Sequence, residues 1–299
     1  MRIIELHPDQ AVTIFSSVKI VREHPTRALA PIDLENHISQ AVWKFFDRCR
    51  GEAAERLGIR EMDLVLSDVR ITGVKIDGHQ VINPTGFTGR EFEIGLSLTV
   101  TKKGVAINGG YLVEGGSMRA YILSKLLGLE RAFFIESGDK TTSVFSINGS
   151  DVHHFSSFDW GGNDIIEALW EDVLDLDEDV LGYLYRKYTE GNVSEKLCRR
   201  IDKSFYRIFT PFVDNVLMNV RNAGGMRLNA PPLMYFYPRF PVPPGVYRKR
   251  FPFGRLKLRF LKTDEVLDIE AFINENIHGI YEELNELATR RIKWLMPTS

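Results

Sequence analysis

Little in this chain marks a secreted, membrane-spanning or metal-binding protein. It has only two cysteines in 299 residues, Cys49 and Cys198. They lie far apart in helical contexts and lack metal-ligand spacing, so both are expected to be buried structural residues in a reduced chain. No apolar run approaches the roughly 20 residues needed to cross a bilayer. The opening "MRIIELHPDQ" lacks the charged-then-apolar layout of a signal peptide. These absences predict a cytoplasmic protein, soluble or peripheral. Net charge is −2, so no global field points to nucleic acid or membrane. No HExxH, CxxC or Gly-x-Ser-x-Gly pattern is present, and no internal repeat.

A hydrophobic content of 44% supports a substantial core. "PIDLENHISQAVWKFFDRCRGEAAERLG" reads as a helix, started at Pro31 and Asp33 and ending near Gly58. Phe92, Ile94, Leu96, Leu98 and Val100 alternate as one buried strand face. Asp77-Gly78 is a hairpin signal. The long segment from Ser194 to Gly225 is helical, and any break in it is expected at Thr210-Pro211. Ile269, Phe272, Ile273, Ile277, Ile280, Leu284, Leu287 and Ile292 recur at helical spacing. Strand-rich and helix-rich stretches interleave, which gives an α/β or α+β class.

Charge is segregated. Residues 159–179 carry Asp and Glu with no Lys or Arg, and residues 239–262 carry Lys and Arg with no acid. The second stretch is also rich in proline and aromatics. Its cations Arg248, Lys249, Arg250, Arg255, Lys257 and Arg259 can meet phosphates of nucleic acid or anionic lipid. The plainer reading is short strands with a solvated cationic face: Arg255, Lys257 and Arg259 alternate with Leu256, Leu258 and Phe260. Nucleic acid is not the expected partner. Cations beside Ile292, Trp294, Leu295 and Met296 suit a helix C-terminus or a membrane interface. His153-His154 beside Asp151 does not predict a metal site, because neighbours on a strand face opposite ways.

The stretch "FFIESGDKTTSVFSINGSDVHHFSSFDWGGNDI" carries the most chemistry. It reads as strand, polar turn, strand, Asn148-Gly149 turn, then a Gly161-Gly162 corner opening a helix. Gly138 lets backbone approach a ligand, Thr141 and Thr142 offer hydroxyls, and Asp139 can hold a metal-bound water.

This order resembles the second phosphate loop of the actin-like ATPase superfamily, "D-x-G-x-x-x-T" between strands and then a "GG" helix start. Within it the chain resembles the branch of the cell-division protein FtsA and the pilus-assembly protein PilM. Upstream, "NPTGFTG" is similar to the "NP-x-G-x-x-G" turn of the FtsA inserted subdomain. The similarity covers roughly residues 30 to 220. It implies an actin-like (ribonuclease H-like) α/β lobe with an FtsA-type inserted α+β subdomain. The implied division is 1–108 resembling the inserted subdomain, 109–230 as the actin-like lobe, and 231–299 as basic strands and an amphipathic helix.

Departures from the family pattern are specific. Glu136 replaces the loop's aspartate. Ser137 and Asp139-Lys140 stand where the family has its next glycines. Leu181-Gly182 and Tyr185 replace the "A-E-x-x-K" helix residues that contact adenosine. "PRFPVPPGV" stands where a glycine-rich adenosine loop is expected, and proline supplies no N–H. A first phosphate loop is either "ELHPDQ", without glycine, or missing with its subdomain, and the second reading is preferred.

The resemblance therefore implies a degenerate or truncated scaffold, non-catalytic or weakly nucleotide-binding, of a cell-division or pilus-type assembly. Its partners would be other proteins at the inner membrane face, or further copies of itself, with membrane contact through the last helix. Any cofactor would be ATP with Mg, held by Gly138, Thr141, Thr142, Gly161 and Gly162. The alternatives are an active ATPase or phosphotransferase using Glu136, Asp139 and Thr141, and a binder of nucleic acid or anionic lipid.

Overall fold

A computed structural model describes residues 2–105, 110–173, 178–222, 233–242, 257–261 and 269–292. The chain divides into two compact units, Met1–Leu129 with Asn148–His153 and Leu267–Ser299, and Glu130–Ile147 with His154–Val266.

In the first unit β2 (Ala11–Val21), β3 (Leu64–Ile76), β4 (His79–Gln80) and β5 (Glu91–Lys102) lie in the order β2-β5-β3-β4, all antiparallel. The "NPTGFTG" segment connects β4 to β5. The β3–β4 hairpin turns at Asp77 and Gly78, whose φ values of 48° and 83° fit the Asp-Gly pair. The alternation in β5 is realised: Phe92, Ile94, Leu96, Leu98 and Val100 are all at most 1% exposed. They pack under α1 (Pro31–Leu57), which contributes Leu34, Ile38, Val42 and Phe45 to the same core. Burial of each such side chain stabilises by about 1.5–3 kcal/mol.

The other face of β5 is buried but polar. Ser97, Thr99 and Thr101 are each 1% exposed. Their hydroxyls pair with Tyr111, Thr13 and Ser67 respectively, so burial leaves no donor orphaned. A short parallel pair, β1 (Ile3–Leu6) with β6 (Tyr111–Glu114), leads into α2 (Gly115–Leu127).

The C-terminal periodicity does not make one regular helix. A short α6 (Ile269–Ile273) runs into a π-helical turn at Asn274–His278. Then α7 (Gly279–Ile292) follows, with non-helical backbone at Tyr281. Asn285 explains part of the irregularity. Its Oδ1 accepts the Ile71 amide at 2.7 Å and its Nδ2 donates to Ile277 O at 3.3 Å, which ties the distorted turn to β3.

In the second unit β7 (Arg131–Ser137) and β8 (Thr141–Asn148) form a hairpin. β9 (Asp151–Asp159), which enters this unit at His154, neighbours β8. On the far side of β7 come β10 (Leu233–Pro238) and β11 (Lys257–Phe260), both parallel. The helices are α3 (Gly162–Val173), α4 (Glu178–Thr189) and α5 (Glu195–Asn222). The core is strongly aromatic. Trp160 stacks on Phe212 at 3.9 Å, and Phe209 and Phe236 both contact Phe260. Pro211 does not break α5, which continues through it. On each side of it Phe209, Phe212 and Val213 are anchored in this core, and tertiary packing outweighs the cost of one lost helical hydrogen bond.

Cys49 is buried as expected, but Cys198 is only half-buried. Burial pushes the Cys49 thiol up to about 12. The Cys198 thiol is also raised, by desolvation and then by Asp202. An alkylating reagent is therefore expected to label Cys198 in the native protein and Cys49 only on unfolding. Mass spectrometry of the labelled peptides checks this, and equal native labelling of both would contradict the packing.

Candidate functional site

The segment expected to cradle phosphate is a hairpin tip packed against a helix N-terminus, all within the second unit. Gly138 N closes the turn on Thr141 O at 2.9 Å. Two strands and one helix converge here because the chain returns through β9 and Trp160 to the Gly161-Gly162 corner. The backbone amides of that corner are where an anion would be held. They are already engaged. Gly162 N donates to Gly138 O at 3.0 Å, and Asn163 N donates to Asp139 O at 2.9 Å. Gly161 N donates to the Asp164 carboxylate at 2.7 Å.

The glycine pair has a packing reason. A Cβ at Gly161 would stand 2.4 Å from Gly138 O and from Asp139 C. A Cβ at Gly162 would press on the Phe240 ring at about 3.0 Å. Phe240 also meets Trp160 edge-on at 6.0 Å.

The candidate side chains separate by environment. Thr142 is fully buried. Its hydroxyl donates to Trp160 O at 2.9 Å and shares a hydrogen bond of 2.8 Å with Ser137 Oγ. Thr141, Asp139 and Lys140 are exposed at the tip. Glu136 is 8% exposed, with Arg239 Nε at 3.8 Å from its carboxylate. Arg239 reaches it because its own N–H extends the β10–β7 ladder onto Ser137 O at 2.8 Å. The hairpin thus brings Gly138, Thr142, Gly161 and Gly162 together, while Thr141 and Asp139 face solvent and Glu136 lies beside Arg239.

On α4, Tyr185 is 5% exposed and donates to Pro241 O at 2.9 Å. Leu181 is buried beside it in the helix pattern, and Gly182 faces open space.

In the first unit, the turn between β1 and β2 is closed by its own groups: Gln10 N and Ala11 N both donate to His7 O. Nearby, the α2 N-terminus holds an acid of its own. Glu114, fully buried, accepts from Gly116 N at 3.0 Å, from Ser117 N at 3.1 Å and from the Ser117 hydroxyl. Arg56 Nη2 lies 3.6 Å from this carboxylate, an ion pair rather than a hydrogen bond. Burial pulls the Arg56 guanidinium below its usual value, and Glu114 opposes that shift. Glu5 pairs with Arg119 at 2.6 Å and lies against Gly115.

Sequence reasoning missed Glu114, Arg56, Arg239 and Phe240. The one local signal was "VEGGS", an acceptor side chain just before a helix start.

Arg248, Lys249, Arg250 and Arg255 lie outside the described residues, as do Trp294, Leu295 and Met296. Lys257 is in β11, but its side chain is also outside them. Arg259 is exposed over the Tyr235 ring at 5.9 Å, while Leu258 and Phe260 are buried. His154 Nε2 pairs with Ser157 Oγ at 2.7 Å. Among the described residues no group of His, Cys, Asp and Glu is arranged to hold a metal ion. No described helix is long and apolar enough to cross a membrane.

No protein-family model matches the sequence, and no curated protein matches it. The chain is distantly similar to several solved structures, each with a TM-score below 0.5. One is a PilM–PilN type IV pilus biogenesis complex, with TM-score 0.44 and 15% identity over 94% of this chain and 77% of that one. Another is Ta0583, an archaeal actin homolog, with TM-score 0.39 and 16% identity over 64% of this chain and 60% of that one. A third is the activator of the 2-hydroxyisocaproyl-CoA dehydratase from Clostridium difficile with bound ADPNP. There the TM-score is 0.33, with 11% identity over 65% of this chain and 74% of that one. At these TM-scores the likeness says nothing of activity, ligand or partner.

Proposed function

We propose that this chain is a non-catalytic actin-like scaffold, in which the phosphate-loop hairpin persists as architecture. One observation carries the reading: the amides of Gly161, Gly162 and Asn163 are spent on Asp164 and on the carbonyls of the hairpin tip. A phosphate site needs convergent N–H groups free to turn toward the anion. Asp139, exposed at the hairpin tip, adds negative charge beside these amides. Phe240 packed on Gly162 and Tyr185 bonded to Pro241 occupy the positions that the family pattern gives to adenosine contacts.

The FtsA/PilM-type sequence pattern supplies the partner class, another protein of a cell-division or pilus-type assembly. Self-association and peripheral membrane contact are further parts of the same reading. Calorimetric titration of the purified chain with ATP and Mg tests it. The expected result is no saturable heat at millimolar nucleotide and no phosphate release above background. Micromolar binding with turnover that disappears in Glu136→Ala would overturn it in favour of an ATPase or phosphotransferase.

A further inference from the structure

A cavity of about 310 Å³ opens in the first unit where α7 packs on β3. Its walls include Arg70 from β3 and His278, Glu282, Asn285, Glu286 and Arg290 from the C-terminal helical segment. The size lies near the lower end of small-molecule sites, about 300 Å³. One polar atom of the wall, His278 Nδ1, is buried without a hydrogen-bond partner. His278 and Asn274 are the two ends of the π-helical turn. Single π turns occur often at functional sites, and buried orphan atoms mark places where a small molecule or ion completes the bonding.

The charges define what fits. Arg70 is held rigidly. Its Nε lies 3.1 Å from Asp68 Oδ1 and its Nη2 3.3 Å from Asp68 Oδ2, with the guanidinium 5.0 Å from the Tyr111 ring centre. Asp68 is itself fixed by the amides of Leu112 and Val69. One edge of the guanidinium is therefore committed, and no described residue bonds to Nη1. Asn285 is spent on Ile71 and Ile277 and serves as wall. Arg290 adds a second cation, and Glu282 and Glu286 add two carboxylates one helical turn apart.

A bare anion in this cavity would meet both glutamates, and a bare cation would meet both arginines. A molecule carrying both charges satisfies all four. We propose that the cavity binds a small zwitterion of the α-amino-acid class, its carboxylate on Arg70 and Arg290 and its ammonium on Glu282 and Glu286.

The test is thermal shift and calorimetry on the full chain with free amino acids. Each is run beside the matching carboxylate without the amine and the matching amine without the carboxylate. Saturable binding is expected for at least one amino acid and for neither of its analogues. Arg290→Ala and Glu286→Gln, both at exposed positions, should each weaken it by about tenfold or more, the worth of one charge-assisted contact. Absence of saturable binding by any amino acid at millimolar concentration would overturn the proposal. So would equal binding of the carboxylate alone, or full affinity retained in both variants.

Discussion

A Gly161→Ala variant should lose about 3 kcal/mol of stability, seen as a lower denaturant midpoint at unchanged slope. The added methyl would stand 2.4 Å from the Gly138 carbonyl oxygen and 2.4 Å from Asp139 C. Both are backbone atoms of a turn pinned by Gly162 N and Asn163 N, so nothing flexible can move aside. Gly182→Ala is the matched control. A Cβ there meets nothing within 4 Å, and inside α4 an alanine should stabilise by about 0.5–1 kcal/mol. If Gly161→Ala is as harmless as the control, the hairpin does not hold the helix N-terminus as described.

Glu114→Ala carries the other large effect. It should destabilise by about 3–5 kcal/mol, because it leaves Arg56 buried without its counter-charge. Arg56 is 11% exposed at its side chain and Glu114 is 0% exposed, so water cannot replace the lost partner. The same change strips the cap from Gly116 N and Ser117 N. Replacing both residues together, Glu114→Ala with Arg56→Met, should cost less than the two single changes added, since the second removes the orphan charge created by the first. Strict additivity in urea unfolding would show that the pair is not coupled.

The extent to which the sequence announces this structure differs sharply between local and distant features. The β5 alternation, the Asp77-Gly78 turn and the strand–turn–strand–glycine order from Phe133 to Gly162 are local patterns, and each appears in the fold. The state of the site is not local. Whether Gly162 and Asn163 can hold an anion depends on carbonyls more than twenty residues earlier in the chain, which no periodicity records. Arg239 meets Glu136 only because β10 pairs in parallel with β7, a register set by tertiary packing. Pro211 passes through α5 because aromatic burial on either side outweighs one missing hydrogen bond. The π turn before α7 goes the other way: apolar spacing predicts a regular helix there, and the tie from Asn285 to Ile71 and Ile277 accompanies the departure from one.

Amide hydrogen exchange at Gly162 and Asn163, with and without ATP and Mg, reads the spent donors directly. Both amides are expected to exchange slowly in the free protein, held by Gly138 O and Asp139 O, and to be unchanged by nucleotide. Fast exchange in the free protein that becomes slow on adding ATP would show donors that turn toward a phosphate, and would contradict a hairpin kept as architecture.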